Sequence, residues 1–360
     1  MKKGPKRRKL RSLWGTTPIL SIVNNAEAER LLGIESETLV FSSYYITDRF
    51  THNFGRFARS RLLRGAARLI VFPWALVRYD IFHYFCDRGI LPSRGWNGIN
   101  AIELWILGLL RKKVFVYTYG GDVRTRGATL SLGKYNCCTD CGDVGRACVC
   151  SDAKQETNLR KLLRYSTQLF SMGDMTEYTP GSDNALFFWP IDCGKVEYVG
   201  ARSNGSDVVK IVHAPNHRQY KGTHYLLETV ERMKKQGYKI ELVLIERVPN
   251  DEALRLYKEA DIVAEQFLIG WHGFLAIEAM ALGKPVICYI RKREYLLSPE
   301  ECPIVNANPD HLEEAIRDLV ESPEKRGHLG EMGRRYVEKH YSLEAFSQRL
   351  RRVYVDQGIL

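Results

Sequence analysis

The C-terminal half of this chain alternates between short apolar runs and segments with helical spacing. Val208 to Val212 is an apolar run broken only by Lys210, which reads as a buried strand, and Pro215 and Asn216 mark the loop after it. Helical spacing follows through Tyr225, Leu226, Thr229, Val230 and Met233, and Gly237 ends it. The order recurs from Asp261 to Tyr289, DIVAEQFLIGWHGFLAIEAMALGKPVICY. There Gly270 and Gly273 precede the helix-forming run LAIEAMAL, Gly283 sits where a helix stops, and Pro285 forbids its continuation. The run PVICY then reads as a second buried strand. Three closing helices are predicted at 310–321, 323–340 and 343–356, the last with Ser342 as its N-cap.

The N-terminal half alternates in the same way. PILSIVNNAEAERLLGI gives a loop and a helix, ETLVFSSYY a strand, and DIFHYF from Asp80 another. A helix is predicted over 97–111, then the strand KVFVYTYGGDVR opening into a glycine loop, a helix over 153–165, and the strands QLFSMG and ALFFWPID, with Pro190 at the end of the latter. Such alternation predicts an α/β protein with two parallel sheets, each with helices on both faces. The polar stretch RSNGSD, 202–207, reads as a linker between them. From 54 to 72, Ala58, Leu62, Ala66, Leu69 and Ile70 share one helical side, and Arg61, Arg64 and Arg68 the other. That helix is expected to end at Pro73 and to pack its apolar side into the core; the alternative is a basic amphipathic helix lying on an anionic bilayer.

Composition changes this picture little. At 360 residues, with 45% hydrophobic and 26% charged side chains, two ordinary globular domains are expected. The net charge of +11 is concentrated: the first eleven residues, MKKGPKRRKLR, carry seven Lys or Arg and no acid. The remaining chain is only mildly basic, so the tail is a separate basic arm suited to an anionic surface, and a nucleic-acid partner is disfavoured. The start lacks the long apolar core of a signal peptide and no run approaches the ~20 apolar residues of a membrane span, so a cytoplasmic protein with peripheral membrane contact at the inner face is expected.

The chemistry sits in the two loops of the C-terminal half. Arg218 and Lys221 lie between strand and helix with Gly222 beside Lys221, and two cations at such a turn match a nucleotide diphosphate. Glu278 falls on the short helix after the loop Gly270, Trp271, His272, Gly273, Phe274, whose helix N-terminus offers unpaired N–H groups to phosphate. The alternatives are a solvated basic loop and a helix merely packed on its sheet. The pair Lys221-Gly222 after a strand, with EAMALGKPVI from Glu278 to Ile287, resembles the donor-binding half of the retaining GT-B glycosyltransferases of family four. The resemblance covers 208–355 well and most of the chain loosely. It implies two Rossmann-like domains facing across a cleft: 1–205 on the acceptor side, with a Cys-rich insert at about 130–152, and 206–342 for the nucleotide sugar. Residues 343–360 would then form a helix crossing back to the first domain. It also implies that Arg218 and Lys221 bind the donor pyrophosphate and Glu278 the ribose. No cofactor and no dedicated base are needed if the leaving phosphate takes the acceptor proton. The family's first glutamate, eight positions earlier, is replaced here by Gly270.

On the acceptor side, the loop Gly120-Gly121-Asp122-Val123-Arg124 follows a strand. Asp122 is a candidate to orient an acceptor hydroxyl and Arg124 to hold an anionic group, and His83 at the end of DIFH is a further candidate facing the cleft; a turn with a local Asp–Arg pair and a packed histidine are the alternatives. Five of the nine cysteines lie within 137–150: Cys138 and Cys141 make a C-x-x-C, and Cys148 and Cys150 a C-x-C. Four thiolates at this spacing suggest a closed, structural zinc site rather than a catalytic one. The expectation is a retaining transferase moving a sugar from a nucleotide diphosphate donor to a glycan or lipid-linked acceptor. Two other readings stay open: an inactive relative acting as a scaffold, and a nucleic-acid-binding protein with a zinc module and a basic arm.

Overall fold

The computed structural model describes residues 9–43, 47–56, 60–93, 98–142, 144–200 and 207–360. Most of the basic tail and most of the predicted linker lie outside these residues. Two parallel sheets organise the chain. In chain order the first half carries β1 (Arg11–Thr16), α1 (Leu20–Arg30), β2 (Glu35–Val40), β3 (His52–Asn53), α2 (Arg61–Arg78), β4 (Ile81–Phe85), α3 (Ala101–Leu109), β5 (Lys113–Tyr117), α4 (Arg126–Leu130), α5 (Asp152–Tyr165) and β6 (Gln168–Phe170). The second half carries β7 (Val209–His213), α6 (Arg218–Lys221), α7 (Thr223–Lys235), β8 (Ile240–Leu244), α8 (Asn250–Lys258), β9 (Ile262–Ala264), α9 (Phe274–Ala281), β10 (Val286–Cys288), β11 (Val305–Asn306), α10 (Leu312–Glu321), α11 (Pro323–His340) and α12 (Leu343–Asp356). The sheets run β3-β2-β1-β4-β5-β6 and β11-β10-β9-β7-β8. Both reverse direction beside a first strand, β1 or β7, and such a switch point opens a crevice at the carboxyl ends of the strands.

The central strands β4, β5 and β9 are near-continuous apolar runs because both sheet faces are covered there. β4 and β5 bury Phe82, Tyr84, Phe85, Phe115 and Tyr117 almost completely. Helix α12 packs on α1. Its Tyr354 hydroxyl donates to Glu29 and meets His83 Nε2 at 2.9 Å. Glu29 has no exposed surface, yet Trp14 Nε1 and Ser36 Oγ donate to it at 2.7 Å and Ser12 donates as well. Burial alone would raise this carboxyl; the His83 charge and these donors outweigh it and hold it down at about 2.

Four local expectations are corrected. The chain is already in strand at Arg11, so the basic arm ends where the sheet begins. The run ALFFWPID is not a strand; it crosses as irregular chain with Phe188 buried. Helix α2 passes through Pro73 to Arg78. A proline there costs the helix a hydrogen bond, but burial of Val71, Phe72 and Ala75 on both sides of it holds the segment helical. Finally, the apolar side of α2 faces outward: Leu62, Leu69, Ile70 and Val77 are exposed rather than in the core.

Candidate functional site

A cleft of about 430 Å³ runs between the two sheets. Its floor in the second half is set by how two strands end. β7 ends at His213, whose Nδ1 meets the Ala264 carbonyl oxygen at 2.8 Å and whose Nε2 meets Thr223 Oγ1 at 2.8 Å. Burial drops this imidazole to about 4, so it is neutral and donates from Nδ1 to the carbonyl while accepting the threonine hydroxyl. It thereby locks β7, β9 and α7 together. Gly222 then separates α6 from α7 with φ +74, and a Cβ there would lie 3.0 Å from Leu268. A glycine is needed at that left-handed step. It leaves Lys221 on the cleft wall, its carbonyl oxygen accepting from Phe267 N at 2.9 Å.

Glu278 lies on α9 and lines the same cleft, 5% exposed. Its Oε1 accepts from Asn250 Nδ2 at 2.6 Å. Burial pushes this carboxyl up to about 7, against the Asn250 bond and with the neighbouring Glu265 adding repulsion. Glu265 sits directly after β9, and its Oε1 accepts from Gly273 N at 2.6 Å. It therefore caps the α9 N-terminus that the sequence offered to phosphate; Phe274 and Leu275 of that first turn still line the cleft. Burial raises Glu265 also, opposed by the Lys221 charge. Glu265, Asn250, Arg247 and Tyr220 are cleft components or supports that sequence reasoning missed. None left a signal that singles it out: Glu265 is a carboxylate straight after a buried strand, a placement that solvated carboxylates share.

The other predicted residues divide. Gly273 and His272 line the cleft; His272 meets Tyr341 Oη at 3.2 Å, and burial lowers it to about 4. Trp271 is buried against His272 and Gly173, and Gly270 lies against Arg291. Arg218 is outside the cleft lining, half exposed and paired with Glu246 at 2.8 and 2.6 Å. Arg124 lines the opposite wall. Its partner is Asp174, at 2.8 Å through both Nε and Nη2, and its Nη1 donates to Tyr220 Oη at 3.1 Å. Asp122 closes its own turn, accepting from Tyr119 N and Gly120 N at 2.9 and 2.8 Å, and burial pushes it up to about 7. His83 lies in the first sheet's core, stacked on Trp14 with ring centroids 3.8 Å apart, and is not in the cleft lining.

The zinc expectation finds no support. Among the described residues no group of three or more His, Cys, Asp or Glu is placed to hold a metal. Cys148 Sγ donates to Tyr220 Oη at 3.1 Å, while Cys150 sits in a left-handed conformation with its sulfur accepting from Gly145 N at 3.2 Å. Cys138 is engaged with Cys137 instead of its C-x-x-C partner. The spacing suits zinc, but the loop turns Cys138, Cys148 and Cys150 to different neighbours.

Residues 218–352 match the family model described as "Glycosyl transferase-like". The whole chain is similar in structure to HepE of Anabaena in complex with UDP-glucose, at 10% identity and TM-score 0.59 over 97% of this chain and 100% of that one. It is also similar to the sucrose-phosphate synthase of Thermosynechococcus elongatus (12% identity, TM-score 0.63, 98% and 99%). A third likeness is to the lipopolysaccharide outer core galactosyltransferase WaaB in its apo form (10%, 0.53, 97% and 100%). No curated protein matches the sequence.

Proposed function

We propose that this chain, whose residues 218–352 match the glycosyl transferase-like family model and whose two sheets have the GT-B fold, transfers a sugar from a nucleotide diphosphate donor to an acceptor hydroxyl. The observation that carries this is that a buried carboxyl, Glu278, and a cation, Lys221, line one cleft from the helices that follow the neighbouring strands β9 and β7. Glu278 accepts the ribose hydroxyls. Lys221 and the first turn of α9 face the diphosphate, and both become more favourable as negative charge grows on the leaving group. Arg247, also in the lining, offers a second cation where the sequence had pointed to Arg218. Tyr119 and Arg124 form the acceptor wall. The sugar leaves with retention at its anomeric carbon, and the leaving phosphate takes the proton of a glycan or lipid-linked acceptor.

Titration calorimetry with UDP and GDP tests the donor site directly. Saturable binding of one of them is expected, and release of free nucleoside diphosphate from the matching nucleotide sugar shows turnover. Absence of binding by both sinks the reading. A scaffold reading is favoured by one feature, Gly270. The Arg291 side chain lies where a Cβ at that position would be, 2.3 Å from Nη1, so no side chain reaches the cleft from it. Binding without turnover or hydrolysis of any nucleotide sugar selects the scaffold.

A further inference from the structure

Helix α2 is built inside out for a helix on a sheet. Its buried positions are Val71, Phe72 and Ala75, while Leu62, Ile70 and Val77 are 87, 73 and 82% exposed and Leu69 and Trp74 face solvent with them. The polar groups turn the other way: Arg68 Nη1 donates to the carbonyl oxygens of Gly89 and Ile90 at 3.1 and 3.0 Å, and Arg78 pairs with Glu37 at 2.7 Å. Helix α3 repeats the arrangement. Ile102, Trp105, Leu109 and Leu110 are exposed, while its acid, Glu103, has no exposed surface and accepts from Ile90 N and Leu91 N at 2.8 Å each.

The two apolar faces belong to one surface. Arg68 and Glu103 clasp the same segment, 89–91, from two helices. The steps β3 to β4 and β4 to β5 also run in one direction along the sheet, opposite to β1 to β2. Right-handed crossovers therefore place α2 and α3 on the same sheet face, away from α1. A monomeric protein rarely leaves so much contiguous apolar surface in water.

The charges around it choose the occupant. Residues 60–79 contain no acid, and the only acid in 99–113 is the buried Glu103. Arg64 and Arg111 flank the patch, and Arg164 stands exposed on α5, the next helix across this face. A second copy meeting this face about a two-fold axis would bring like charges together. An anionic surface with an apolar interior fits both features, and Trp74 and Trp105 are the residue type that settles at a membrane–water boundary. We propose that the outer face of α2 and α3 docks on an anionic lipid bilayer. The basic tail before β1 adds attraction of the same sign. No described helix is long and apolar enough to cross a membrane, so the contact is peripheral. Docking does not depend on the donor site; that the bilayer carries a lipid-linked acceptor rests on the reading above.

The test is co-sedimentation of the full chain with vesicles of phosphatidylcholine and phosphatidylglycerol, against phosphatidylcholine alone. The parent is expected to partition to the anionic vesicles, less so in raised salt. The triple variant Ile70→Gln, Val77→Gln, Trp105→Gln keeps the charge and alters only exposed positions. Its partitioning should fall about tenfold or more with melting unchanged. Quenching of parent tryptophan fluorescence by brominated lipid gives a second readout that needs no variant. A parent that stays in the supernatant, a triple variant that pellets like the parent, or an absence of quenching overturns the proposal. So does a parent dimer that the triple variant breaks to monomer, which would mean that a second copy covers the face.

Discussion

Glu278 makes its environment measurable. Its folded carboxyl holds a proton up to about 7, while an unfolded glutamate releases it near the ordinary 4.5. Between those values the native state binds more protons, so this residue's contribution to stability falls as pH rises through that window, by about 3 kcal/mol in all. Glu103 and Asp122, both raised to about 7, push in the same direction. Glu278→Gln removes one share: the variant should melt with the parent near pH 5 and above it at pH 8. The same change should weaken UDP binding at pH 8 roughly tenfold to a hundredfold, because charge-assisted bonds to the ribose are lost. Unaltered affinity at pH 8 would remove Glu278 from the ribose site. Lys221→Ala should act on turnover more than on affinity, since the charge it faces grows in the transition state; a pure affinity loss in steady-state kinetics would contradict that role. The placement of Glu278 and Lys221 on one cleft was legible because each stands at a fixed step from a glycine and a strand. Glu265 and Arg291 were not, since a lone carboxylate or guanidinium after an apolar run looks the same in sequence whether it caps a helix or meets water. His83 shows the converse: a histidine at a strand end is visible, but its stacking on Trp14 comes from residues far along the chain.

At the scale of elements, periodicity says which side chains share a face and leaves open which way that face turns. For α2 the ambiguity is complete, because the arginine side is also the side that reaches the loop carbonyls at Gly89 and Ile90. The proline that ends a helix in sequence terms is overridden there by core burial on either side of it. Helix α12 was easier: Ser342 does cap it, accepting from Ala345 N at 3.2 Å. What fixes it to α1 is a carboxylate that no local pattern reveals. Tyr354→Phe keeps the ring and removes one donor from the buried Glu29, and should cost about 1.5–3 kcal/mol in urea unfolding. Glu29 is held at about 2, below the ordinary 4.5, so its contribution is complete above 4.5 and disappears as pH falls through 2. Glu29→Gln should therefore be destabilised at pH 7 and lose part of the parent's sensitivity between pH 4.5 and 2. A variant whose acid unfolding curve matches the parent's would show that Glu29 is not the group being titrated.

In the whole molecule, the cleft exists only while the two sheets hold their spacing, and one of the charged contacts between the halves also braces the glycine loop beside it. Arg291 follows β10 in the second half; Glu177 lies in the turn after β6 in the first, and Nη2 meets Oε2 at 2.6 Å with both side chains nearly buried, 11 and 9% exposed. Arg291 Nη1 also donates to the Ile269 carbonyl oxygen at 3.2 Å, so the same guanidinium braces the glycine loop ahead of α9. Removing one partner of such a pair strands the other in low dielectric, which is more costly than removing both. Lys292, 2.7 Å from the other oxygen of Glu177, offsets part of that cost. Arg291→Met should therefore lose about 1–3 kcal/mol and weaken UDP binding without touching a group assigned to the donor. Glu177→Gln should lose less, because Arg291 keeps its carbonyl partner. The double variant should recover part of the sum, a coupling of about 1 kcal/mol or more in a double-mutant cycle. UDP affinity should follow the same cycle if this pair sets the width of the cleft. Strict additivity in both stability and affinity would mean that this pair does not set the spacing of the sheets.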